Sequence, residues 1–194
     1  MAEKLKIIPL GGLDEIGKNM TVLEYGKDMI IVDCGVGFPD EDMYGVDLVI
    51  PDFSYVVANS KKLRGMFITH GHEDHIGSIP YFMKEVICPV HGTAMTNGLI
   101  KLKLEEHKLD DKVMLVTHKP GDVVKAGCFS VEFIHVNHSI ADAVAFAIRT
   151  PVGTVVMTGD FKIDPTASCG MTDLARFGQL GNDGVLALLA DSTN

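Results

Sequence analysis

The sequence predicts a layered α/β domain. Two observations predict it. Short apolar runs of strand length fall into two groups, and stretches with helical spacing alternate with them. One such run, Met66-Phe67-Ile68-Thr69, leads into a loop with three histidines and an aspartate within six positions. Loops at the ends of buried strands are rigid perches for chemistry, so the fold and the site are expected to meet there.

The elements follow in order. Leu5 to Leu10 reads as the first strand. Met20 to Tyr25 and Met29 to Val32 read as the next two, joined by the turn Gly26-Lys27-Asp28, which gives the sheet an antiparallel start. Cys34 to Pro51 is a long loop carrying Asp40, Glu41, Asp42 and Asp47. It reads either as a solvated acidic loop or, given its length, as a functional rim. Asp52 to Leu63 is expected to be a short helix with Asp52 as its cap. After the central run and its loop, Ile76 to Lys84 has apolar positions at helical spacing. Val86 to Val90 reads as a strand interrupted by Pro89, and Thr93 to Leu109 as a helix capped by Thr93. Val113 to Val116, Asp122 to Lys125 and Phe129 to Val136 follow as strands. Ala143 to Arg149 and Thr154 to Thr158 pair around Pro151-Val152-Gly153. A helix near Thr172 to Gln179 and a last strand, Val185 to Ala190, complete the chain. That strand is apolar on both faces, which places it inside a sheet.

Composition narrows the classes. The chain has 194 residues, 46% hydrophobic and 22% charged, enough for one domain with a sizeable core. Net charge is 17 minus 26, or −9, which argues against nonspecific nucleic-acid binding through bulk charge. It leaves a nucleic-acid substrate open, because bound divalent ions reverse a local field. Cys34, Cys88, Cys128 and Cys169 form no Cys-x-x-Cys pair and read as buried free thiols. Met1-Ala2-Glu3-Lys4 opens no apolar leader, and no apolar run reaches the length of a membrane span. A soluble, cytoplasmic protein is expected.

The loop Thr69-His70-Gly71-His72-Glu73-Asp74-His75-Ile76-Gly77 carries the chemistry. A lone Asp74 would read as a helix cap, and a lone histidine as a hydrogen-bonded loop residue. Four such groups together are the donor set of zinc and related ions. His70 and His72 share a side if the backbone is extended. Asp74 and His75 are adjacent and cannot join that pair at one centre without strain, so two metals are expected.

Gly12-Leu13-Asp14-Glu15-Ile16-Gly17-Lys18 also invites a reading, since Gly-x4-Gly-Lys nearly matches a phosphate-binding loop. Asn19 replaces the Ser or Thr that would hold magnesium, a strand follows where a helix is required, and Asp14 and Glu15 would repel phosphate. Nucleotide binding is rejected here.

His-x-His-x-Asp-His after an apolar strand resembles the signature of the metallo-β-lactamase superfamily, which implies an αββα sandwich with metals at one edge between two sheets. Longer stretches resemble the ribonuclease J family within it, in the β-CASP group. These are 11–19, 33–52, 67–77, 137–140, 159–164 and 191–194. The resemblance implies roles for particular residues. His70, His72 and His138 of Asn137-His138-Ser139 would hold one metal. Asp74 and His75 would hold the other, and Asp160 of Gly159-Asp160 would bridge them. Asp74 and Asp160 are thereby the catalytic carboxylates. Asp33 would support the site by orienting a ligand. His135 competes with His138 but is read as structural, Asp164 as a turn former, and His91, His107 and His118 as surface or core residues.

The same resemblance implies two divalent ions, zinc or else manganese, and an RNA substrate. The reaction would be endonucleolytic and 5′-to-3′ exonucleolytic hydrolysis in RNA processing. The intact protein would be a homo-oligomer with no membrane association. In that family a further histidine comes from a later motif, and none follows His138 here. Residues 1–194 are therefore expected to be the N-terminal part of a metallo-β-lactamase domain, ending where a β-CASP domain is inserted, without the closing strands and inactive alone. Another hydrolase of the superfamily, acting on a thioester or lactam, and a noncatalytic scaffold are the competing readings.

Overall fold

Alternation along the strands sorts the apolar side chains into three layers, and these fix the architecture. The computed structural model describes residues 3–192. Met1, Ala2, Thr193 and Asn194 lie outside the described residues, so half of the 191–194 match does too. The first sheet runs β1 (Leu5–Gly11), β2 (Met20–Tyr25), β3 (Asp28–Val32), β4 (Leu63–Phe67), β5 (Val90–Gly92), β6 (Leu115–Thr117), in that spatial order. β1 to β3 are antiparallel, as the two tight early links require, and β3 to β6 are parallel. The second sheet is the antiparallel meander β7 (Val123–Ala126), β8 (Phe129–His135), β9 (Val144–Thr150), β10 (Gly153–Met157). β11 (Ala187–Leu189) lies parallel beside β10 at its edge.

Between the sheets lie Leu23, Ile30, Val32 and Phe67 from one side and Phe133, Phe146 and Ile148 from the other. Their sequence neighbours point outward. Val22, Met29, Ile31 and Met66 pack with Val56, Phe82 and Ile100 from the helices over the first sheet. Those helices are α1 (Ser54–Ala58), α2 (Glu73–Ile76), α3 (Ile79–Glu85) and α4 (Ala94–Glu106). On the outer face of the second sheet, Ala145, Ala147 and Val156 meet Leu180 of α5 (Leu174–Asp183). The small alanines let the helix approach closely. Glu132 fastens it: its carboxylate accepts from Arg176 Nε at 2.6 Å and from Arg149 Nη2 at 2.7 Å. Helix, sheet, sheet and helix follow one another, the sandwich that the resemblance implied.

Several boundaries differ from the sequence reading. The expected helix Asp52 to Leu63 gives α1, then a 3₁₀ turn at Ser60–Lys62, while Leu63 already belongs to β4. Phe53, not Asp52, takes the cap position of α1, and Asp52 just before it accepts from Ser54 N at 2.8 Å. The expected helix Ile76 to Lys84 is two helices, because Gly77 and Ser78 interrupt it. Val86 to Val90 is not a strand. Pro89 has no N–H to give, and pairing begins at Val90. The helix expected near Thr172 to Gln179 is α5, which starts at Leu174, runs on to Asp183 and is capped by Asp173, whose side chain accepts from Arg176 N. Cys34 and Cys88 are buried as expected, whereas Cys169 is exposed. The 34–51 loop is more than a solvated acidic turn, since Phe38, Tyr44, Val46 and Leu48 are all exposed along it. Among the described residues the last strand, β11, lies at the edge of its sheet, with Leu188 63% exposed. Among the described residues, no helix is long and apolar enough to cross a membrane.

Under the helices, β2 buries a carboxylate. Glu24 is 3% exposed and accepts from Lys6 and Lys62 at 2.9 Å and from the Tyr55 hydroxyl at 2.7 Å. Burial alone would raise its pKa. The two ammoniums and the hydroxyl outweigh that and bring it from 4.5 to about 2. A carboxyl depressed by folding stabilises the fold above its unfolded pKa and loses that contribution as pH falls through the folded value. Glu24→Gln should therefore lower stability at pH 7 by about 2 kcal/mol. In denaturant titrations the gap between variant and parent should close between pH 4.5 and about 2. A constant gap across that range would show that the charge of Glu24 contributes nothing.

Candidate metal centre

The C-terminal ends of β3, β4, β8 and β10 reach one edge of the sandwich, and each delivers part of the site. Val144 N donates to Thr69 O at 2.9 Å and ties the two sheets together there. β4 ends at Phe67, and His70 and His72 follow in an extended stretch. His72 then stands at the start of α2, whose single turn carries Asp74 and His75. Asp74 is thus inside the turn and does not cap it. The turn is braced from behind: Cys34 N donates to His75 O at 2.8 Å and Val36 N to Glu73 O at 3.1 Å. At Gly35 this contact leaves no room for a side chain, because a Cβ would stand 1.5 Å from Asp74 O. His138 comes from the loop after β8 and Asp160 from the loop after β10. Lys162 N donates to Asn137 O at 2.7 Å and holds those two loops side by side.

Two groups of donor atoms result, one of His70, His72, His138 and Asp160, the other of Asp74, His75 and Asp160. Within each group, one atom per residue lies within 4.8 Å of the others. His72 Nδ1 is 3.0 Å from His70 Nε2 and 3.2 Å from His138 Nε2. A single proton on His72 cannot serve both contacts, whereas a cation at their centre can, so the donor set fits a divalent metal ion. Asp160 spans the groups. Its Oδ2 is 3.6 Å from His138 Nε2 and 4.0 Å from His70 Nε2, while its Oδ1 is 3.3 Å from His75 Nε2.

Asp33 and Thr69 set the orientation of the rings. Asp33 adopts φ 59°, a left-handed turn that aspartate tolerates, and this aims its buried carboxylate back at the loop. The carboxylate accepts from Thr69 N at 2.8 Å, from the Thr69 hydroxyl at 2.9 Å and from His75 Nδ1 at 2.8 Å. Thr69 Oγ1 in turn lies 3.1 Å from His70 Nδ1. With their Nδ1 atoms so engaged, His70 and His75 turn their Nε2 atoms toward Asp160. Gly159, at φ 55°, lets the Asp160 loop pass Thr69, where a Cβ would fall 2.8 Å from that side chain.

Burial, then the neighbouring His75, pushes the His70 pKa down to about 2, which keeps its ring neutral and its lone pair free. Burial also works against charge on His75, but the Asp33 and Asp160 carboxylates outweigh it and raise that ring to about 10. For Asp160, burial opposes ionisation, yet His75, His70 and His138 bring it to about 2. The centre therefore holds an ionised carboxylate among rings that offer lone pairs, with one proton on His75 for an arriving cation to displace.

All six expected ligand residues meet at this centre, with Asp33 directly behind them. His135 and Asp164 stand outside both donor groups. His91 and His118 were expected to stand alone and do not. His91 Nδ1 is 3.0 Å from His118 Nε2, and His91 stacks between His118 and Phe67 while His118 lies against Phe133. Thr69, the hydroxyl that links Asp33 to His70, was missed, because a threonine closing an apolar run carries no signal of its own. Asn19 was also missed. Its side-chain nitrogen lies 3.1 Å from His75 Nε2.

Comparison with known proteins agrees with this geometry. The family model of the metallo-beta-lactamase superfamily matches residues 13–192. Ribonuclease J of Synechocystis sp. is 47% identical over 195 residues, covering 99% of this chain and 30% of that protein. Ribonuclease J of Helicobacter pylori is 48% identical over 193 residues, covering 98% of this chain and 28% of that protein. The chain thus spans under a third of the length of these two curated relatives. The crystal structure of the metallo-beta-lactamase fold protein YhfI from Bacillus subtilis superposes with a TM-score of 0.58 at 18% identity. It covers 85% of this chain and 66% of that one, a likeness of fold. With two mixed sheets between helices and a His/Asp centre at their common edge, the chain belongs to the metallo-β-lactamase superfamily.

Proposed function

We propose that this chain is the N-terminal part of a ribonuclease J and contributes most of a two-metal centre that hydrolyses RNA phosphodiesters in the cytoplasm. One observation carries the reading: Asp160 directs one carboxylate oxygen to each donor group. His70, His72 and His138 would hold the first ion, Asp74 and His75 the second, and Asp160 both. Two divalent ions held there at a short, fixed spacing would clamp a phosphate, lower the pKa of an attacking water and stabilise the negative charge that develops on the phosphate oxygens. The chain's own part is to fix that spacing. Asp33 holds His75 by Nδ1, and Thr69 relays the same hold to His70. Rigid placement of this kind keeps the donor atoms in register as charge develops. In the intact protein the β-CASP domain and a later histidine would complete the substrate cleft. Endonucleolytic and 5′-to-3′ exonucleolytic cutting, and homo-oligomerisation, belong to the same proposal.

The first donor group has three imidazoles and the second only one, so the chain should bind one ion far more tightly than a second. Elemental analysis after exhaustive dialysis should give occupancy near one ion per chain. His70→Ala or His138→Ala should remove that ion. Two ions surviving dialysis would overturn the unequal assignment. In the intact protein, Asp160→Ala should lower cleavage of a labelled RNA by about a thousandfold or more, with unchanged circular dichroism, because both ions lose their shared ligand. Near-normal cleavage would sink the bridging assignment. An intact protein that hydrolyses a thioester or lactam and leaves RNA whole would overturn the substrate reading.

A further inference from the structure

The glycine-rich turn that resembles a phosphate loop has so far entered the site only through the contact of Asn19 with His75. It runs from β1 to β2 and closes against the second donor group. Gly12 and Gly17 take left-handed angles of 82° and 84°, and β2 follows directly, so no helix N-terminus stands ready for a phosphate. Main-chain bonds fix the end of the turn. Lys18 N donates to Val36 O at 2.8 Å, Asn19 N to Asp74 O at 3.1 Å and Gly35 N to Asn19 O at 3.0 Å. The Asn19 side chain is therefore not needed to hold the turn in place.

That side chain points into the second donor group. Its nitrogen is 3.1 Å from His75 Nε2, 3.4 Å from Asp74 Oδ2 and 3.1 Å from Asp74 O. Asp160 Oδ1 and Asp74 Oδ2 approach the same His75 Nε2, at 3.3 and 3.6 Å. The other ring nitrogen is committed to Asp33. One nitrogen, with one proton or one lone pair, cannot satisfy an amide and two carboxylates together. A cation among them satisfies the ring and both carboxylates, and from Asn19 it then requires a lone pair. The two ends of a carboxamide have the same shape, so a half-turn presents oxygen where nitrogen stood. Asp74 O keeps its bond from Asn19 N throughout.

We propose that Asn19 is a further ligand of the second divalent ion, through Oδ1; this rests on the two-ion reading above. The second position would then offer three oxygen-bearing residues, Asn19, Asp74 and Asp160, and one imidazole. The first offers three imidazoles. Oxygen-rich sets suit manganese or magnesium, and imidazole-rich sets suit zinc. The two positions are thereby unequal in metal preference as well as in affinity. Asn19 stands where a phosphate loop would place its magnesium-binding hydroxyl, and serves a cation held by another part of the chain.

The test uses the 194-residue chain loaded with one equivalent of zinc and titrated with manganese, read by calorimetry and electron paramagnetic resonance. Asn19→Leu should weaken the manganese step about tenfold or more, whereas Asn19→Asp, which supplies an anionic oxygen, should strengthen it by a similar factor. Zinc affinity should be unchanged in both. A leucine variant matching the parent, or weakening in both variants as expected of a residue that merely packs the turn, overturns the assignment. If neither the parent nor Asn19→Asp takes up manganese, it is the two-ion reading that fails, and the ligand assignment falls with it.

Discussion

The buried carboxylate of Asp33 is the constraint on which the rest of the centre depends. A charge removed from water is tolerated only when its oxygens are satisfied, and here a main-chain amide, a hydroxyl and an imidazole satisfy them. Those same three bonds determine where the ligands stand. The bond to Thr69 N fixes the chain as it leaves β4, the hydroxyl passes the hold to His70, and the imidazole bond turns His75. Leaving any of these partners unmade would strand a buried charge, so the arrangement is closed against alternatives. The left-handed backbone at Asp33 is part of the same device, since an extended residue there would send its side chain out to one face of the sheet, across the direction of β3.

How much of this was legible in the sequence depended on whether the signal was local. The apolar runs Met20 to Tyr25 and Ala143 to Arg149 gave strands close to the observed β2 and β9, because both faces of each strand meet an apolar layer. The histidine cluster and Asp160 announced themselves by residue type and by the strands before them. Boundaries set by tertiary contact did not. Leu63 looked like the end of a helix and is the start of β4, because parallel pairing with β3 reaches back to it. The edge position of β11 was equally hidden: an apolar pattern reports what a strand can bury, not which neighbours the described residues provide.

The site residues that were missed share a physical cause. Thr69 and Asn19 act through single contacts with residues distant in sequence, Thr69 with Asp33 and Asn19 with Asp74 and His75. Neither belongs to a cluster of its own. The His91–His118 pair lacked a local signal in the same way, since the two meet only through the pairing of β5 with β6.

Net charge and site charge pull in opposite directions, and the fold resolves the conflict spatially. The chain carries −9 overall, which repels a polyanion at long range. At the centre itself, Asp74 and Asp160 meet at His75 Nε2 with Asp33 behind the ring, and a bound cation would offset that gathered negative charge. Under the proposed function these acidic residues would make the cleft receptive to a phosphate, because bound cations would leave positive charge facing outward where the carboxylates are already engaged. The exposed apolar side chains of the 34–51 loop and of β11 add surface that water does not favour on the same molecule. On the proposed two-ion reading, an acidic chain would need no basic patch to hold a polyanion at that edge.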